Sequence, residues 1–156
     1  MVGPMALQQE IKKKKPFDLP EQEAYLNIIR TASFLDGAFD GLFKKYGLTN
    51  AQYNVLRILR GEGARMPSLA VAERLVTRVP DITRLVDRLE QGGLVKRERS
   101  TEDRRVVYVS VTAKGLALLA DLDEPVRMLH REQLQHMPKK ELGELSRLLV
   151  RARTPE

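Results

Sequence analysis

The sequence predicts a mainly α-helical domain with one small β-hairpin, and three observations carry that prediction. Between residues 68 and 90 two short amphipathic segments follow one another, separated only by Thr77, Arg78 and Val79. Directly after them, residues 94–99 and 106–111 read as strands, the second rich in β-branched side chains, with a polar run at 100–105 between them. On both sides lie longer stretches whose apolar residues recur at helical spacing. Two short helices on a tight turn, followed by a basic hairpin, make a winged helix-turn-helix.

Taken in order, residues 1–18 hold prolines at 4 and 16 and four lysines at 12–15, with too little apolar patterning to fold alone. They read as a flexible basic tail, with an arm that touches phosphate as the alternative. Residues 19–47 read as one long helix, since Tyr25, Ile28, Ile29, Ala32, Leu35, Phe39, Leu42 and Phe43 follow a 3.6 period. Gly37 and Gly41 sit inside it, and each costs about 1 kcal/mol against alanine, so close approach of another helix is expected there. Thr49 and Gln52 fit a capping box, with Leu48 and Tyr53 as the hydrophobic staple around it. Val55, Leu56 and Leu59 continue that helix to the glycines at 61 and 63.

The first helix of the pair draws on Leu69, Ala72, Leu75 and Val76. The second is expected at about 80–91, with Pro80 in its first position, Asp81 at the positive end of its dipole, and Ile82, Leu85, Val86 and Leu89 on one face. Gly92 and Gly93 stop it. The hairpin, at about 94–111, completes a 48–112 unit; five of the ten residues from 96 to 105 are Lys or Arg, and the long loop predicts a flexible ribbon. Residues 113–156 should form further helices, the first capped by Thr112 and kinked or broken at Pro125, the last opening near Pro138. A winged helix of about 70 residues cannot bury all these apolar faces, so the two end regions imply a homodimer.

A chain of 156 residues with 42% hydrophobic and 31% charged content suits a single soluble domain. A net charge of +6 favours a polyanionic partner. The absence of cysteine excludes disulfides, thiolate metal sites and thiol-based redox sensing. No apolar run approaches the length of a membrane span and no secretory core opens the chain, so a cytoplasmic location is expected. His130 and His136 are six apart, not the four of a shared metal face, and neither a phosphate loop nor a nucleophile elbow is present. An enzyme, a metal site and a cofactor are therefore not expected.

The run from Val79 to Glu90, then GlyLeuVal at 93–95, AspArgArg at 103–105 and ThrAlaLysGly at 112–115, resembles the MarR family of bacterial transcription regulators. The likeness extends in register from about Tyr25 to Leu149. It implies a triangular dimer joined through the end helices and a sequence-specific DNA-binding regulator, most often a repressor. Two recognition helices on a two-fold axis would read a pseudo-palindrome with half-sites about one helical turn apart. Arg78, Asp81, Thr83 and Arg84 are the residues expected to face the DNA, since Arg pairs with guanine and Thr with a thymine methyl or base edge. Arg88 is expected to pair with Asp87 or Glu90, or to bridge to the wing.

At the wing the resemblance makes Asp103 the orienter of Arg105, which enters the minor groove, with Arg104 on phosphate. Ser68, Thr77 and Ser100 are further phosphate donors. The family also implies release by a small phenolic or anionic effector, for which Phe34, Ala38 and Tyr53 are the candidate cleft residues. A non-specific architectural DNA binder and a protein-interaction winged helix are the alternatives.

Overall fold

The computed structural model describes residues 6–155. Its elements run α1 (Leu7–Glu10), α2 (Pro20–Lys44), α3 (Asn50–Glu62), β1 (Met66–Pro67), α4 (Ser68–Glu73), α5 (Ile82–Gln91), β2 (Val95–Arg99), β3 (Val107–Val111), α6 (Ala113–Leu134) and α7 (Lys139–Arg153). The three strands form one antiparallel sheet in the order β1-β3-β2, with Met66 opposite Val109 and Val95 opposite Val111. This is the winged helix-turn-helix that the sequence predicts, set between a long N-terminal helix and two C-terminal ones.

Local chemistry fixes most of these boundaries. Thr49 Oγ1 accepts the backbone N–H of Gln52 while Gln52 Oε1 accepts that of Thr49, a closed capping box at the start of α3. Leu48 and Tyr53 are both buried around it as the staple requires. Helix α5 ends in a Schellman motif: Gly93 has φ +73°, its N–H bonds to Glu90 O, and Leu94 N–H bonds back to Leu89 O. The core then gathers Phe43 from α2, Val55, Leu56 and Leu59 from α3, Val71 from α4, Val86 and Leu89 from α5, Val109 from β3, and Leu119 and Leu122 from α6. A bidentate pair, Arg60 Nη2 to Asp123 Oδ1 at 2.8 Å and Nη1 to Oδ2 at 3.0 Å, ties α3 to α6 at the surface.

Several sequence expectations need correction. Helix α4 ends at Glu73, so Leu75 and Val76 belong to the turn, which runs from Arg74 to Asp81. Val71 is the residue it buries, whereas Leu69 is 69% and Val76 85% exposed. The reason lies upstream: β1 pairs with β3 immediately before the helix begins and so sets the rotation at which α4 leaves the sheet. Helix α5 starts at Ile82 instead of Pro80, because Asp81 is extended and its carboxylate accepts Arg84 N–H at 3.0 Å, making it the N-cap. Helix α6 runs unbroken through Pro125.

Of the expected tail, residues 1–5 lie outside the described residues. Residues 7–11 lie against α2, with Leu7 buried and Glu10 paired with Arg30 at 2.6 Å, while Lys12, Lys14 and Lys15 are exposed. Close packing at Gly37 and Gly41 is not found: a Cβ at either would meet nothing within 4 Å in the described chain.

A different glycine carries the close approach. At Gly115, in the first turn of α6, a Cβ would lie 2.4 Å from Leu94 O and 2.7 Å from Val111 Cγ2. Thr112 caps the same turn by accepting Gly115 N–H, donates its hydroxyl to Gly93 O at 2.6 Å, and sends its own N–H to Leu94 O. Lys114 Nζ donates to Gly92 O at 2.8 Å, placing a cation at the negative end of α5. Gly115→Ala should therefore force the α6 start off the sheet and cost about 3 kcal/mol. Gly61→Ala, facing open space in α3, should be neutral or stabilising by up to about 1 kcal/mol. Urea unfolding of the two variants beside the parent measures the difference, and equal midpoints would contradict this packing.

Candidate nucleic-acid interface

Helix α5 buries Val86 and Leu89, which turns Thr83, Arg84 and Gln91 outward, with Asp87 between them. Arg84 and Arg88, one turn apart, line a shallow concavity of about 340 Å3 that continues to Thr49 and Gln52 at the start of α3. Thr77 and Arg78 are exposed in the preceding turn. Thr77 lines a separate recess between α2 and α3 with Asp36 and Asp40. Ser68 is half-buried at the first position of α4. Asp81 is engaged as the helix cap.

The wing tip is folded by its own side chains. Ser100 Oγ accepts the backbone N–H groups of Glu102 and Asp103, both at 3.2 Å, so its role here is to fold the turn. Asp103 Oδ1 accepts Arg105 N–H at 3.0 Å and Arg105 Nε at 3.2 Å. The Arg105 side chain nevertheless remains 92% exposed. Its direction is fixed while its guanidinium stays in solvent, with Arg104 exposed beside it.

The bridge from helix to wing is made by Arg97 of β2, whereas Arg88 joins no ion pair among the described residues. Arg97 donates its backbone N–H to Glu90 Oε2 at 2.8 Å, its Nε and Nη2 to Glu90 Oε1 at 3.2 and 3.0 Å, and its Nη1 pairs with Asp87. A helical partner such as Arg88 can be guessed from spacing. Arg97 reaches Glu90 only because the Schellman turn folds β2 back along α5. The charge pattern Asp87, Glu90, Arg97 was the available signal.

The three expected effector residues do not converge. Tyr53 is in the core, stacked on Phe43 with ring centroids 4.3 Å apart, and burial pushes its phenol above the ordinary value. Phe34 and Ala38 are exposed on α2, and Phe34 borders an apolar groove of about 440 Å3 shared with the end of α6 and with α7.

The MarR family model matches residues 48–107, the segment from the capping box of α3 through the wing. A MarR transcription factor from Planctomyces limnophilus is 47% identical, over 86% of this chain and 98% of its own, with a TM-score of 0.67. The regulator MgrA of Staphylococcus aureus is 34% identical over 69% of this chain and 71% of its own length. The chain belongs to the MarR family.

The same fold recurs in a mutant MarR from Escherichia coli solved with operator DNA, 23% identical with a TM-score of 0.73 over 95% of this chain. MarR-family proteins are transcriptional regulators and not enzymes. Among the described residues of this MarR-family chain no helix is long and apolar enough to cross a membrane.

The clasp makes a measurable prediction. Side-chain and then backbone hydrogen bonds from Arg97 hold the Glu90 carboxyl below its ordinary value. A carboxylate lowered on folding contributes stability above its unfolded pKa and loses it as pH falls through the folded one. The clasp should thus persist through mildly acidic pH and open only beneath the usual carboxylate range. An NMR titration of Glu90 should give that low midpoint, and Arg97→Gln should return it toward the ordinary value. An ordinary midpoint in the parent protein would contradict the clasp.

Proposed function

We propose that this MarR-family regulator binds a pseudo-palindromic operator as a homodimer and represses transcription there, with α5 in the major groove and the wing tip in the minor groove. The observation that carries the reading is the Asp103–Arg105 arrangement, a guanidinium aimed by its neighbour yet almost wholly exposed, on the same unit as outward-facing Arg84 and Arg88. Arg84 is the best placed for a guanine or phosphate, Thr83 for a thymine methyl or base edge, and Arg78 and Arg104 for the flanking backbone. Asp81 and Ser100 act through the fold instead, by capping α5 and closing the wing turn. Thr77 and Ser68 contribute at most at the edge of the interface.

Dimerisation through 19–47 and 113–156 is supported by the apolar surface those regions leave uncovered. Phe34 is 74% and Tyr25 61% exposed, Ile28, Ile29, Leu145 and Leu148 are exposed with them, and α7 buries no residue within one chain. Exposed apolar side chains on two helices at once, α2 and α7, are out of place in a monomer. A second copy laid along α2 and α7 would cover it and set the two α5 helices apart by a fixed distance. An effector, small and phenolic or anionic, would release the DNA by binding one such spacing more tightly than the other.

Selection from a random duplex pool should return a two-fold consensus with half-site centres about one helical turn apart. Arg84→Ala and Arg105→Ala should each weaken binding to it by about tenfold or more. A pool with no symmetric enrichment, and variants that bind like the parent, would return the protein to a non-specific or protein-binding reading. Phe34→Glu combined with Leu148→Glu should yield monomers in sedimentation and lose the operator. A dimer that survives both changes would place the interface elsewhere.

A further inference from the structure

Helix α5 with its cap carries three carboxylates, Asp81, Asp87 and Glu90, against two guanidinium groups, Arg84 and Arg88. Taken alone, a helix with that balance repels the phosphates it must lie between. Asp81 is committed to the Arg84 N–H at the helix start, where the dipole accommodates its charge. Asp87 and Glu90 have no such partner on α5. Asp87 falls near the middle of the outward face, between Thr83 and Gln91, where it would meet the duplex first.

Arg97 answers both. It is the one residue of the wing that contacts the two carboxylates together, through four separate donors. Each nitrogen of its fork and its backbone N–H already meets a carboxylate, so only two of its five guanidinium N–H bonds are left for a phosphate.

We infer that Arg97 is a positioning residue of the recognition surface: it offsets one of the two negative charges of Asp87 and Glu90, which brings α5 and its cap to net zero, and holds α5 against the wing, leaving Arg84 and Arg88 to govern the approach to phosphate. This rests on the proposed insertion of α5 into DNA. It assigns to a residue outside the helix the charge balance that the helix itself lacks. The wing thereby does two jobs, presenting Arg105 at its tip and neutralising the recognition helix at its base.

The test uses the full-length protein and the duplex selected by the parent, at one fixed salt concentration. Arg97→Gln should weaken binding by roughly tenfold. The nearly isosteric double variant Asp87→Asn, Glu90→Gln should bind at least as tightly as the parent, and adding Arg97→Gln to it should cost no more than about twofold, because nothing remains to cancel. Unchanged affinity in Arg97→Gln would overturn the inference. So would a loss that the triple variant fails to recover, since Arg97 would then be a direct contact or a purely structural one. If Arg97→Gln does not fold, the double variant decides alone, and weaker binding by it counts against the inference. Failure of the parent to enrich any duplex would instead count against the proposed function, leaving the clasp to the Glu90 titration.

Discussion

The fold depends most on the place where the recognition helix ends and the long C-terminal helix begins. Because Gly115 has no side chain, the first turn of α6 lies directly against the Leu94 carbonyl, at a distance no other residue could occupy unmoved. Thr112 and Lys114 then take up the carbonyls of Gly93 and Gly92, which would otherwise be orphan acceptors at the end of α5. The helix expected to enter DNA and the helix expected to help join two copies thus share one junction. Leu119 and Leu122, buried one and two turns further along, extend that rigidity into the common core.

From this junction the rest of the interface acquires its geometry. The Schellman turn at Gly93 sends β2 back along α5, which brings Arg97 over Asp87 and Glu90. The same strand, paired with β3 over five residues, carries the chain out to the tip where Ser100 and Asp103 fold the turn. Base and tip of the wing are each fixed by carboxylate–arginine chemistry, with opposite outcomes. At the base the arginine is consumed in neutralising acids, and at the tip a single acid aims an arginine that stays in solvent. On the far side, Arg60 and Asp123 bind α3 to α6, so the helix behind the recognition unit moves with the same body.

Much of this was legible in the sequence because the signals were local. The capping box at Thr49 and Gln52, the glycine stop after Gln91 and the β-branched run of β3 each specify a conformation from residues within a few positions of one another. What was missed depended on distant pairing. The two-residue strand β1 has no signal of its own, and its bond to β3 rotates α4 so that Val71 is buried and Leu69 and Val76 face out. Arg97 and Glu90 meet only through the register of the turn, so the nearer Arg88 attracted the assignment. The chemistry of the wing tip was readable from AspArgArg, whereas the effector residues were not, because Tyr53 was already committed to the staple and the core.

The apolar surface of α2 and α7 joins these local features into one claim, that two copies hold their recognition helices at a separation matched to the pitch of a duplex. The absence of native cysteine allows that separation to be measured cleanly, by spin labels attached through Glu73→Cys, an exposed position at the end of α4 outside the outward face of α5. On the selected duplex, pulsed dipolar spectroscopy should give a single narrow distance distribution, from which the two α5 helices lie about one helical turn apart, about 34–36 Å. No dipolar signal, or a broad distribution that puts the helices far from that spacing, would contradict the account.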